Sequence, residues 1–170
     1  MISRRSVLKF GAAGGLLLAL AGASRAEGRY RPASGREPPE ALGSDDRAVV
    51  AAIAPAILAG TGGAGANVEA VVGSVDRAVA GLPPYLRDEV SQLFALLASW
   101  PGRRWVAGVA SPWPEASVAE VQAFLERWRF SEWALLQQGY QALHELVLAA
   151  WYARPDAWAQ IGYPGPPEVR

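Results

Sequence analysis

Residues 130–166 read FSEWALLQQGYQALHELVLAAWYARPDAWAQIGYPGP, and the spacing of their apolar side chains decides the kind of fold. Trp133, Leu136, Tyr140, Leu143, Val147 and Trp151 recur at alternating three- and four-residue steps. That is the period of a helix laid against a core, whereas a strand would alternate every two residues. The pattern predicts a helix from about Ser131, acting as N-cap, to Trp151, packed inward through Trp133, Tyr140 and Val147. Pro155 ends it, because proline lacks the amide donor and its ring clashes with the preceding turn. The run Ile161-Gly162-Tyr163-Pro164-Gly165-Pro166-Pro167 then predicts an extended, proline-rich aromatic tail.

Working outward, four more helices precede this one. Ser44 with Asp45 and Asp46 reads as an N-cap and acidic first turn, Val49, Ile53 and Ile57 follow at four-residue steps, and Gly60 stops the run. Pro55 should bend it. Asn67 caps a second helix carrying Val68, Val71, Val72, Val75 and Val79, ended by Gly81. Pro83-Pro84 opens a third, with Leu86, Val90, Leu93, Phe94 and Leu97 as its stripe and Trp100-Pro101-Gly102 as its stop. From Arg103 to Ala116 there is no period, which predicts a loop anchored by Trp105 and Trp113. Ser117-Val118-Ala119-Glu120 fits a capping box for a fourth helix lined by Val118, Val121, Phe124, Leu125 and Trp128. The fold class expected is therefore all-α, an irregular bundle of about five helices with an extended tail, over residues 44–170 as one domain.

Residues 1–26 have the layout of an export signal. Arg4-Arg5 gives the twin-arginine pattern, an apolar run too short for a span of about 20 residues follows, and Ser24-Arg25-Ala26 places small residues for cleavage after Ala26. Residues 27–43, rich in proline and glycine, are expected to form a flexible or extended lead-in. Without the leader the chain keeps 12 arginines and no lysine against 16 carboxylates. That balance excludes the basic footprint of a nucleic-acid binder. With no cysteine in the chain, disulfides, thioether haem and thiolate clusters are excluded too. Twin-arginine signals serve cargo that crosses the membrane folded, so a chain with no cofactor motif of its own is expected to travel with a partner that has one.

Catalytic chemistry finds no constellation. His144 is the sole histidine and stands beside Glu145, with no second soft ligand for a metal. Glu120, Glu126, Glu132 and Glu145 are spread over helices without a paired acid in an apolar pocket, and read as solvated partners of Arg127 and Arg129. The glycine-rich GTGGAGA at 60–66 lacks the lysine, the Ser/Thr and the preceding strand of a phosphate loop. All seven tryptophans follow residue 99. Trp128 and Trp133 read as core; Trp151, Tyr152, Trp158 and Tyr163 read equally as core or as interface, since Trp, Tyr and Arg dominate interface hot spots.

Ala149-Ala150-Trp151-Tyr152, Pro155, Trp158 and Ile161-Gly162-Tyr163-Pro164-Gly165, together with the leader, resemble the C-terminal signature of the small subunits of GMC-type flavin dehydrogenases, the gluconate 2-dehydrogenase subunit 3 group. The close likeness covers about 35 residues plus the leader, and the segment between Tyr152 and Trp158 is shorter than in many members. The resemblance implies a non-catalytic periplasmic subunit. It would bind a large FAD-containing flavoprotein, assist its maturation and carry it through the twin-arginine translocase, with a cytochrome subunit as a further partner. It implies no cofactor on this chain, and Trp151, Tyr152, Trp158, Ile161, Tyr163 and Pro164 as partner-facing residues. The alternative class is a free-standing periplasmic ligand-binding module, which requires an apolar pocket with convergent polar groups.

Overall fold

Helix formation starts where an acidic turn precedes apolar residues at helical spacing. In the computed structural model, which describes residues 41–164 except 62 and 161, α1 spans Ser44–Leu58. The leader with Arg4, Arg5 and the position after Ala26, most of the lead-in, and Ile161 lie outside the described residues. The N-cap is Gly43, one residue before the serine expected. The Asp46 carboxylate reaches back to accept from Gly43 N at 3.1 Å, which draws Ser44 into the first turn. Pro55 sits inside α1 without ending it.

α1 is central, packing against each of the next four helices. Its buried face is correspondingly wide, with Val49, Val50, Ile53, Ala54, Ile57 and Leu58 all covered. α2 spans Val68–Ala80, with Asn67 Oδ1 accepting from Ala70 N at 3.2 Å and Gly81 at its C-cap. Valine loses up to about 0.7 kcal/mol per residue in helix propensity. Val71, Val72, Val75 and Val79 are essentially inaccessible to solvent, and burying each is worth about 1.5–3 kcal/mol, so packing outweighs propensity. Asp76 of α2 accepts from Ala41 N (2.9 Å) and Leu42 N (2.8 Å) and lies 3.5 Å from Arg47 Nη1. It fastens the entry strand of chain to the bundle.

α3 spans Pro84–Ala98 and buries Leu86, Val90, Phe94 and Leu97. The following segment is not the aperiodic loop expected: Gly102–Ala107 form a π-helical turn. Ser99 Oγ donates to Leu96 O at 2.7 Å and accepts from Gly102 N at 3.1 Å, folding the chain so tightly that a Cβ on Gly102 would lie 1.8 Å from Leu96 O. Only glycine fits there. Gly108, at φ 66°, ends the turn in the left-handed region. Trp113 then enters the core as the anchor expected, its Nε1 donating to Leu97 O at 2.8 Å.

α4 spans Val118–Arg129 behind Ser117, whose Oγ accepts from Glu120 N at 3.2 Å. Only half of the capping box forms, because the Glu120 carboxylate turns outward to the preceding loop. α5 spans Ala134–Tyr152, two residues later than the serine cap implied. Ser131 Oγ accepts from Trp133 N at 3.1 Å, which makes Trp133 the N-cap and points the chain away from the core. At the α4–α5 crossing the Trp128 ring lies over Gly139, and its Nε1 donates to Val106 O at 3.1 Å. Pro155 does not simply end the helical part: it opens a sixth helix, α6, at Pro155–Gln160, since proline is tolerated in a first turn, and of the expected tail only residues 162–164 are among those described. The described residues contain these six α-helices and no strand, an all-α bundle around one cluster of buried side chains running from Leu42 to Ala157.

Candidate docking surface

The carboxylates do not converge. Among the described residues no group of three or more His, Asp or Glu is placed to hold a metal ion. Glu120 Oε1 accepts from Ala110 N at 2.6 Å and Ser111 N at 3.3 Å. Desolvation is the largest single influence on its carboxyl and pushes it up, but the two amides, the Ser111 hydroxyl and Arg103 together hold it below the usual range. Its role is to fix the loop onto α4. Arg127 does not pair with a glutamate either; its Nη2 donates to Ala107 O (2.7 Å) and Gly108 O (3.3 Å). His144 stacks on Tyr140 at 5.4 Å, and burial, aided by Arg129 and opposed by Glu145, lowers its pKa from 6.5. A cavity lined by Ala54, Pro55, Leu58, Gly63, Ala66, Val68 and Val71 encloses about 20 Å³. That is room for one water and far below the roughly 300–1,000 Å³ of a small-molecule site.

What the surface does offer is aromatic. At the C-terminal end of α5 the residues expected to face a partner separate into two groups. Trp151 is 1% exposed, seated against Gly63 with Arg154 stacked over its ring at 5.8 Å. It belongs to the core, because the loop at 61–66 closes over the end of α5. Tyr152 and Tyr163 are 38% and 46% exposed, Trp158 is half-buried and Pro164 exposed.

These residues are held firmly. Gly162 takes φ 70°, and Tyr163 N donates to Trp158 O at 2.9 Å. That is the six-to-one bond of a Schellman cap, with its accompanying apolar contact between the same two residues: the rings meet edge-on at 5.7 Å. Trp158 Nε1 donates to Tyr152 O at 2.7 Å. Gly162 and Tyr163, at the start of the proline-rich aromatic run, thus cap the C-terminus of α6, with Pro164 where a proline commonly follows such a cap.

A second aromatic surface was not foreseen. Trp133, expected in the core, is 73% exposed; Trp105, expected to anchor its loop, is 70% exposed, and Phe130 (74%) and Leu135 (68%) are as open. Trp100 packs edge-on against Trp105 at 5.0 Å. The bonds from Trp128 and Arg127 to the backbone at 106–108 bring the π-turn backbone beside the α4–α5 corner. The sequence signals were an arginine-flanked tryptophan without helical period and a leucine, Leu135, off the predicted stripe.

No family model matches the chain, and neither curated proteins nor solved structures give a match.

Proposed function

We propose that this chain is a non-catalytic small subunit that docks on a periplasmic FAD-dependent dehydrogenase of the GMC type, assists its maturation and carries it through the twin-arginine route. The FAD belongs to that partner, and this chain holds none. The observation that carries the reading is the platform of Tyr152, Trp158 and Tyr163, aromatic, partly open and locked by a Schellman cap. Side chains fixed before contact lose less entropy on docking, and Trp and Tyr are the usual anchors of such contacts. The twin-arginine leader and the likeness of the C-terminal signature supply the partner's class.

The test is co-purification from periplasm. A stoichiometric yellow flavoprotein is expected with the wild-type chain, and Trp158→Ala with Tyr163→Ala should reduce complex formation more than they lower the subunit's own melting temperature. If the variants melt early while still binding, the platform is merely a helix cap. If a colourless chain purifies alone and the flavoprotein is exported without it, the subunit reading is wrong.

A further inference from the structure

The face built by the π-turn and the α4–α5 corner is both apolar and cationic, and it lies at the other end of α5 from the proposed flavoprotein platform. Leu135 and Tyr152 are separated by 17 residues of helix, about 26 Å at 1.5 Å per residue. Trp105, Phe130, Trp133 and Leu135 project from it. Around them stand Arg103, Arg104, Arg127 and Arg129 against Glu120, Glu126 and Glu132, while residues 41–164 elsewhere carry four arginines and nine carboxylates. The described body is acidic, and its one net-positive face is also where its most exposed large apolar side chains are gathered. Exposed apolar patches of this kind mark binding surfaces.

We propose that this face rests on an anionic lipid surface, with the aromatic side chains in the headgroup region and the arginines at the phosphates. The charge selects the occupant. A second copy of the chain would oppose the arginines with their own like, and the leader, with Arg4, Arg5 and Lys9, has the same sign. A bilayer interface accepts Trp, Phe and Leu projecting from turns without a shaped socket, and favours arginines whose stems lie along apolar surface while the guanidinium stays wet. Among the described residues no helix is long and apolar enough to cross a membrane, so the contact is with the surface. The inference is independent of the flavoprotein reading, because it uses different residues at the opposite end of α5.

Cosedimentation of the full chain with phosphatidylcholine vesicles, with and without phosphatidylglycerol, tests it. Every variant keeps the leader, so differences report the folded domain. The wild type should pellet with the anionic vesicles and be weakened by salt. Arg104→Gln with Arg129→Gln should reduce binding by about fivefold per arginine, Trp105→Ala with Trp133→Ala by at least as much, and Trp158→Ala with Tyr163→Ala should leave it unchanged. Trp105→Phe with Trp133→Phe should retain binding but lose quenching of tryptophan fluorescence by brominated lipid. The proposal is overturned if no variant differs from wild type, if the wild type does not pellet, or if the Trp105 and Trp133 substitutions release a co-purifying protein while vesicle binding persists.

Discussion

Gly139→Ala should destabilise the protein, although intrinsic propensity predicts the opposite. Glycine inside a helix costs about 1 kcal/mol relative to alanine, so on an unobstructed face of α5 the substitution would raise stability by that amount. Here the added Cβ would lie 2.5 Å from Trp128 Cζ3 and 2.9 Å from Cε3, where carbon atoms at rest stand about 3.5–4.0 Å apart. The ring has little freedom to withdraw. It is 2% exposed, bonded through Nε1 to Val106 O, and packed edge-on against Phe124 at 4.9 Å.

Overpacking of this kind costs about 1–3 kcal/mol, and losing the indole bond adds about 0.5–1.5 kcal/mol. After the propensity gain the net effect is a loss of about 0.5–3.5 kcal/mol. In a domain of this size that lowers the Tm by about 2–12 °C. Thermal melts and guanidinium titrations of the single variant measure it, and the same substitution in a Trp128→Leu background isolates the clash, because alanine should there be neutral or stabilising. A rise in Tm for the single variant, or additivity across the double-mutant cycle, would refute the packing argument.

Gly102→Ala should be more damaging still, since its Cβ meets backbone at Leu96 O and the π-turn must open; soluble yield and loss of helical circular dichroism report it. Asp76→Ala leaves the amides of Ala41 and Leu42 without their acceptor, at a cost of about 1–3 kcal/mol, and hydrogen exchange at those two amides should accelerate far more than at the α2 valines. His144 has a lowered pKa in the folded state, so the unfolded chain binds the proton more readily. Its contribution is complete above pH 6.5 and is lost as pH falls toward the folded pKa; His144→Gln should flatten that part of the stability-versus-pH curve.

The all-α class and most helix positions were legible because apolar spacing and caps are local properties. Asn67, Gly81 and Pro84 stand where their backbone chemistry requires them, and Val71, Val72, Val75 and Val79 of α2 are buried as their period implies. What was not legible depended on a second contact. The cap of α5 moved from Ser131 to Trp133 because the serine hydroxyl takes the Trp133 amide instead of one inside the helix. Glu120 left its capping box because two loop amides outcompete one helix amide. The π-turn carries no period, and it forms only because Gly102 lets the backbone approach Leu96 O.

The stripe on α5 shows most directly where pattern ends and packing begins. Its period continues through Trp133, Leu136 and Tyr140, yet full burial starts only at Leu143. A hydrophobic period states that a face is apolar; whether anything covers that face depends on the reach of the neighbours. α1 and α2 cover the second half of α5, while along the first half Trp128 fills the space above Gly139 and leaves Trp133 and Leu135 beyond it. An apolar period that outruns its cover is a different signal from a core, and here it coincides with the net-positive side of an acidic domain. The two ends of this one helix therefore carry different chemistry: a capped, preorganised aromatic platform at Tyr152–Tyr163 and an arginine-rimmed open face at 130–135. The 19 residues of α5 hold those two kinds of surface apart on one continuous helix.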